Sequence, residues 1–294
     1  MRTGIIGLGA LGSSLGLALR THKQWGDVTG FDTSARVQND AKRKGAIREG
    51  TSDIADLLSD ADLVVLAVPP LAVIDFLREY GPRLRADSVV TDLASSKQAI
   101  LEAAERYVPA RSGFVGGHPL VNCAPGIDQA SATMFQGRPW CLATTVGTPA
   151  DRLDTVNALV DAAGARAYFV DPAEHDSWVA GMEGLPRIMA AALARISGGS
   201  DAWRELVRVS GTPFDNAVSA ASGTPQESRD LALTNGMALV SWLDRLLAEL
   251  DHWREAVAES RGDVLEQQFA DAAALRTRWD NERSGQARGI DGAP

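Results

Sequence analysis

Gly7-Leu8-Gly9-Ala10-Leu11-Gly12 is the stretch on which the reading of this chain turns. The apolar run Thr3 to Ile6 leads into it, and a segment with Leu11, Leu15, Ala18 and Leu19 at three-and-four spacing leads out, so a strand, a glycine turn and an amphipathic helix follow one another. In that setting the first glycine permits the tight turn and the second lets backbone approach a pyrophosphate. The third lets helix and strand pack closely, and the phosphates face the helix N-terminus. Gly16, one helical turn later, extends the close packing. Twenty residues beyond Gly12 a second strand, Val28 to Phe31, ends at Asp32. A carboxylate there accepts hydrogen bonds from ribose hydroxyls and repels a 2′-phosphate, so NAD is the expected cofactor. Arg36 keeps NADP as the alternative.

Further Val- and Ile-rich runs follow at Leu63 to Val68, Val89 to Thr91, Phe114 to Gly116, Cys141 to Thr145 and Ala167 to Val170, separated by helix-like stretches. This alternation is the signature of βαβ units, and it predicts a Rossmann-type doubly wound parallel sheet. After Asp171-Pro172 the strand signals stop, and the rest is Ala-, Leu- and Arg-rich with helical periodicity. The expected organisation is an α/β nucleotide-binding domain over 1–171, an all-helical substrate and dimerisation domain over 172–284 and a flexible tail over 285–294. The strongest helical segment is read from Gln226 to Ala258. It carries two apolar stripes, one of Val240, Leu243, Leu247, Leu250 and Val257, the other of Leu239, Trp242, Leu246 and Trp253. Two stripes need more cover than a small domain supplies, which implies a homodimer through this region.

Composition narrows the field. The 294 residues are 45% hydrophobic and 23% charged, enough apolar material for one or two cores, with a formal net charge of −9 that argues against nucleic acid or an anionic membrane as partner. The apolar runs are far shorter than the roughly 18 residues a spanning helix needs. Cys123 and Cys141 allow at most one bridge, and Met1-Arg2-Thr3 enters the first strand directly, so a reducing, cytoplasmic compartment is expected. No metal site is expected, because His118, Cys123, Cys141 and His175 lack a paired zinc-ligand spacing.

Three strand ends carry the candidate chemistry. Leu66-Ala67-Val68-Pro69-Pro70 must turn at its prolines, so Val68 and Pro69 are read as lining the cofactor groove. Thr91-Asp92-Leu93-Ala94-Ser95-Ser96-Lys97 sets small hydroxyls before a helix; Ser95 and Ser96 are read either as site residues or as an N-cap. Phe114-Val115-Gly116-Gly117-His118-Pro119-Leu120 ends in one of four histidines. A neutral imidazole there can take a proton from a substrate hydroxyl as the adjacent carbon loses hydride.

These motifs, in this order, resemble the prephenate and arogenate dehydrogenases of tyrosine biosynthesis. The resemblance rests on Gly7 through Gly12, Asp62 to Pro70, Thr91-Asp92 with Ser95 and Lys97, and Gly117-His118-Pro119. It continues through Met134 to Trp140, Glu174-His175-Asp176 and Leu185-Pro186. It implies a hydride passed from a cyclohexadienyl carbinol carbon to NAD while a ring carboxylate leaves as carbon dioxide, the small-molecule substrate being prephenate or arogenate. It also implies that His118 and Ser95 are catalytic, that Ser95 meets the nicotinamide, and that Ser96 and Gly117 line the substrate pocket. Three positions depart from the family pattern. Glu183-Gly184-Leu185-Pro186-Arg187 stands where the family has Ser-His-Leu-Pro-His, and the acidic residue after the Gly-His-Pro segment is missing. Phe214 to Ser219 lacks the late arginine that pairs a substrate carboxylate. Arg187 is the candidate replacement, and His175-Asp176 is read as a cap and orienting pair. The departures motivate alternatives: a modified substrate such as an amino-substituted prephenate, a β-hydroxyacid, or a non-catalytic NAD-binding sensor. The intact Ser95 and His118 argue against the last.

Overall fold

A computed structural model describes residues 1–109 and 112–290. In chain order it contains β1 (Arg2–Ile6), α1 (Ala10–Leu19), β2 (Asp27–Phe31), α2 (Ala35–Lys44), β3 (Glu49–Gly50), α3 (Ile54–Asp60), β4 (Leu63–Leu66), α4 (Pro70–Tyr80), β5 (Val89–Asp92), α5 (Gln98–Tyr107), β6 (Phe114–Pro119), β7 (Pro139–Ala143), α6 (Ala150–Ala162) and β8 (Arg166–Phe169). Helices follow: α7 (Pro172–Val179), α8 (Leu185–Gly198), α9 (Trp203–Val209), α10 (Thr212–Val218), α11 (Pro225–Thr234), α12 (Gly236–Ala258) and α13 (Gly262–Ile290).

Among the described residues the strands form one sheet in the order β3-β2-β1-β4-β5-β6-β7-β8. β1 pairs in parallel with β2 on one side and β4 on the other, so the strand order reverses there. Ile6 lies beside Phe31 and Leu66, and Leu66 beside Asp92. The turns carrying Gly7, Val68 and Ser95 therefore emerge side by side at the carboxyl edge, where ligands bind in open α/β sheets. Successive residues of a strand point to opposite faces. Accordingly Ile5 and Val65 join Leu15, Trp140 and Val156 in one core, while Ile6, Val64 and Leu66 join Phe76, Leu77 and Ile100 in the other. Each fully buried aliphatic chain contributes roughly 1.5–3 kcal/mol, which is why the central strands read as continuous apolar runs.

Three sequence expectations need correction. The sheet is not wholly parallel: β6 and β7 pair antiparallel, because the chain between them contains only a short 3-10 turn and no crossover helix. The two-residue strand β3 was not legible at all. The helix expected over Gln226 to Ala258 breaks at Asn235, which has φ −114° and ψ 24°. Asn and Gly are poor helix formers, and Asn235-Gly236 stand together there.

The chain divides into two compact units, Met1–Leu239 and the remainder from Val240. In the first, caps match the sequence: Asp171 accepts from the amides of Ala173 and Glu174, with Pro172 at the first position of α7. In the second, Trp253 packs on Phe269 with ring centroids 4.7 Å apart, whereas Val240, Leu247, Leu250 and Val257 are each at least half exposed. Residues 285–290 of the expected tail continue α13 as helix, and 291–294 lie outside the described residues. Among the described residues no helix is long and apolar enough to cross a membrane, and no group of metal-ligating side chains comes together.

Candidate active site

The glycine turn is built as its spacing requires. Gly7 has φ +93°, and a Cβ there would meet the Ala67 carbonyl oxygen at 2.3 Å; one at Gly12 would meet the Gly7 oxygen at 1.9 Å. These two glycines are demanded by the protein itself. Gly9 is different, since a Cβ there would meet nothing within 4 Å. The turn is thus open at the residue where backbone is expected to approach a ligand. Leu8 and Ala10 turn their side chains inward, and Leu11 packs against the core, so they offer a ligand only their peptide groups.

Asp32 ties two of these turns together: one carboxylate oxygen accepts from the Leu8 amide and the other from the Ser34 amide, each at 2.9 Å. It is half-buried. Val68 and Pro69 are likewise half-buried just past β4, and Pro70 opens α4.

The second wall is a buried frame. The Lys97 ammonium forms an ion pair with Asp92, both fully buried, and donates to the Gly117 carbonyl at 2.8 Å. Asp92 also accepts from the amides of Gly117 and Ala94 at 3.0 Å. Burial raises the Asp92 pKa and lowers that of Lys97, each shift opposed by the partner. Gly117, expected to touch substrate, has both peptide groups engaged in this frame, and a Cβ there would meet the Asp92 carbonyl oxygen at 2.5 Å. Its role is to hold β6 against β5. Ser95 and Ser96 do not cap α5; the cap is Lys97, whose side chain is turned into the protein. Both serine hydroxyls are instead buried without a hydrogen-bond partner. A buried polar group without a partner is costly, and two stand together just past the end of β5.

His118, at the end of β6, brings the site together. Its Nδ1 lies 3.0 Å from His175 Nε2, and His175 Nδ1 lies 2.8 Å from Asp176 Oδ1. Asp176 in turn accepts from the amides of Lys97 at 2.7 Å and Gln98 at 2.9 Å, capping α5 from outside that helix. The tautomers follow from these partners. Asp176 offers only acceptors, so His175 donates from Nδ1 and accepts at Nε2, and His118 must donate from Nδ1. His118 Nε2 is left with its lone pair directed outward. Burial, with His175, Lys97 and Arg187 nearby, holds the His118 pKa well below its ordinary value, so the ring is a neutral base at pH 7.

Beyond Nε2 the chain makes a π turn over Ala180–Gly184 before α8. Such turns cluster at functional sites because the extra residue redirects a side chain. Here Glu183 Oε1 comes to 3.8 Å from His118 Nε2. Glu183 Oε2 faces Arg187 Nη2 at 3.4 Å, and Arg187 Nη1 faces Glu227 Oε1 at 3.7 Å. Burial raises the Glu183 pKa against the opposing pull of Arg187. Arg187, the candidate for the substrate carboxylate, stands between two carboxylates, one of which faces His118. His22 and His252 are exposed, and Ser219 bonds only within its own turn. Sequence reading treated Glu183 only as a departure and missed Glu227, and no local motif marks either.

Two family models match the chain, "Prephenate dehydrogenase, nucleotide-binding domain" over residues 15–169 and "Prephenate dehydrogenase, dimerization domain" over residues 171–271. The glycine turn lies ahead of the first match. Among curated relatives, a cyclohexadienyl dehydrogenase of Zymomonas mobilis is 29% identical over 92% of this chain and 94% of its own. A Streptomyces niveus protein named "Probable prephenate dehydrogenase NovF" is 33% identical over 90% of this chain and 72% of its own. Among solved structures, a prephenate dehydrogenase from A. aeolicus, in complex with hydroxyphenyl propionate and NAD+, superposes with a TM-score of 0.87. It is 25% identical, over 95% of this chain and 98% of that one.

Proposed function

The chain belongs to the prephenate dehydrogenase family, and from that premise we propose that it is an NAD-dependent dehydrogenase that oxidatively decarboxylates prephenate, arogenate or a close analogue to a 4-substituted phenyl product, the tyrosine-forming type of reaction. The observation that carries the reading is the free lone pair of His118 Nε2, fixed by His175 and Asp176 at the end of β6 in the sheet that carries the nucleotide turn.

The residues present fit the dinucleotide. Gly9 leaves the turn open, the amides at the start of α1 face that opening, Asp32 suits the ribose hydroxyls, and the unpartnered Ser95 and Ser96 hydroxyls suit the nicotinamide end. Val68 and Pro69 would border it. Asp32 favours NAD over NADP; Arg36 already faces Asp40, at 3.8 Å. Bound NAD+ supplies the hydride acceptor.

His118 accepts the proton of the substituent on the ring carbon that loses hydride, with His175 and Asp176 holding the imidazole in the competent tautomer. The buried Asp92–Lys97 pair keeps β5, β6 and the Ser95-Ser96 segment in fixed relation, so the base is preorganised. Loss of the ring carboxylate as carbon dioxide makes the ring aromatic, which drives the reaction forward. Arg187 is our candidate for the substrate carboxylate. We place the enzyme in the cytoplasm as a homodimer through its helical region; support comes from the half-exposed Val240, Leu247, Leu250 and Val257 and from the dimerization-domain match.

The test is NADH formation by the purified chain with NAD+ and prephenate or arogenate. Turnover supports the reading, and NAD+ binding without turnover of any such substrate overturns it.

A further inference from the structure

Two hydrogen-bond acceptors converge on one point in the site. His118 Nε2 has its lone pair outward because Nδ1 donates to His175, and Glu183 Oε1 stands 3.8 Å from it. Arg187, 3.4 Å from the other oxygen of Glu183, favours its carboxylate form and opposes the burial that raises its pKa. Neither acceptor can satisfy the other, yet one small atom can stand about 2.9 Å from both. A hydroxyl placed there carries one hydrogen and satisfies only one acceptor, leaving its own lone pairs against the second. An amine carries two hydrogens and an ammonium three, and the ammonium adds charge attraction to the carboxylate.

The charge balance points the same way. Arg187 stands between two carboxylates, Glu183 and Glu227, and the buried Lys97 near His118 is already matched by Asp92. A substrate that is already an anion gains nothing from a carboxylate at its reacting end unless that end is cationic.

Resting on the dehydrogenase reading above, we infer that Glu183 is a specificity-determining residue that selects a cyclohexadienyl carboxylate bearing an amine, in place of a hydroxyl, on the ring carbon that loses hydride. The ammonium gives one proton to His118 Nε2 and becomes a neutral amine, which still donates to Glu183. Hydride then leaves the amine-bearing carbon for the oxidised nicotinamide. The bond from the opposite ring carbon to its carboxylate breaks, its electron pair completes the aromatic ring, and carbon dioxide departs. The product is the 4-aminophenyl compound, and one cofactor is reduced for each carbon dioxide released. The imidazolium formed on His118 is stabilised by Glu183, the same carboxylate that selected the substrate.

Two measurements test this. The first compares kcat/KM for prephenate and for its analogue with an amine in place of the ring hydroxyl, in the wild-type chain and in Glu183→Gln and Glu183→Ser. The wild-type chain should favour the amine by about tenfold or more, the magnitude expected of a charge-assisted hydrogen bond, and both variants should lose that preference. The second is calorimetric binding of an unreactive pair, 3-(4-aminocyclohexyl)propionate and 3-(4-hydroxycyclohexyl)propionate, to the wild type and Glu183→Gln in the presence of NAD+. The amine should bind about tenfold tighter to the wild type and with no advantage to the variant. Glu183→Gln keeps the side-chain shape, and an unchanged melting temperature separates specificity from folding. Turnover of prephenate at a rate equal to or above that of the amine, or an unchanged ratio in Glu183→Gln, overturns the inference while leaving the dehydrogenase reading intact. Turnover of neither substrate, with NAD+ bound, overturns both.

Discussion

His118 Nδ1 lies 3.0 Å from His175 Nε2, and through that contact an imidazole at the end of a β-strand is tied to a carboxylate that caps a helix. The contact settles which nitrogen of His118 bears the proton. It also couples the base to the fold, since Asp176 is positioned by the amides of Lys97 and Gln98 rather than by its own helix.

If the pair acts by positioning, His175→Asn and Asp176→Asn should lower kcat about 10- to 100-fold with little change in the KM for NAD+, because His118 is still present but no longer held in one tautomer. Steady-state kinetics with both substrates checks this. A matching loss of cofactor affinity in both variants would show that they disturb the nucleotide site instead.

The low pKa of His118 fixes the pH behaviour. Its folded value lies well below the ordinary 6.5, so the base stays unprotonated in mild acid and the acidic limb of kcat/KM should fall below pH 6.5. Arg187 is one of the positive neighbours that lower it, so Arg187→Met should move that limb upward. For stability the sign is the same. Below 6.5 the unfolded state binds a proton that the folded state refuses, so this group costs stability as the pH falls from 6.5 toward the folded value and costs nothing above it. Kinetic and denaturation profiles of the wild type and His118→Asn over that range separate the two effects.

Much of this was written in local sequence. The turn at Gly7, the strand ends carrying Val68, Ser95 and His118, and the change from strands to helices after Asp171-Pro172 follow from short-range pattern, because period and turn chemistry are local properties. The antiparallel turn of β7 was hidden because it depends on what does not connect two strands. Glu183 was hidden for another reason: a π turn shifts the face of a helix by a fraction of a turn, and no residue pattern announces it. The break at Asn235 was legible in Asn-Gly and was overridden by the apolar stripes that follow it.

The buried Asp92–Lys97 pair should be costly to split. Lys97→Met leaves Asp92 buried without its counter-charge and should destabilise by about 3–5 kcal/mol. The double variant Asp92→Asn/Lys97→Met removes both charges, keeps an acceptor for the Gly117 amide, and should recover part of that loss. Denaturant unfolding of the two variants gives the comparison.

Gly7 and Gly9 should respond oppositely to alanine. Gly7→Ala forces a side chain into a left-handed backbone against the Ala67 carbonyl and should destabilise by at least about 2 kcal/mol. Gly9→Ala meets open space and should leave the melting temperature unchanged while weakening NAD+ binding by about tenfold. Thermal melts and calorimetry on the same two proteins decide it.

We assign His118 as the base of an NAD-dependent dehydrogenase of the prephenate class. The most direct test of that assignment is the rate of NADH formation by the wild-type chain and by His118→Asn, given NAD+ with prephenate, arogenate and the ring-amine analogue in turn, alongside NAD+ affinity by calorimetry. We expect turnover of at least one of these by the wild type, a fall of about 10²- to 10⁴-fold in the variant, and equal NAD+ affinity in both. Full activity in His118→Asn, or silence of the wild-type chain with all three while NAD+ binds, would contradict the account.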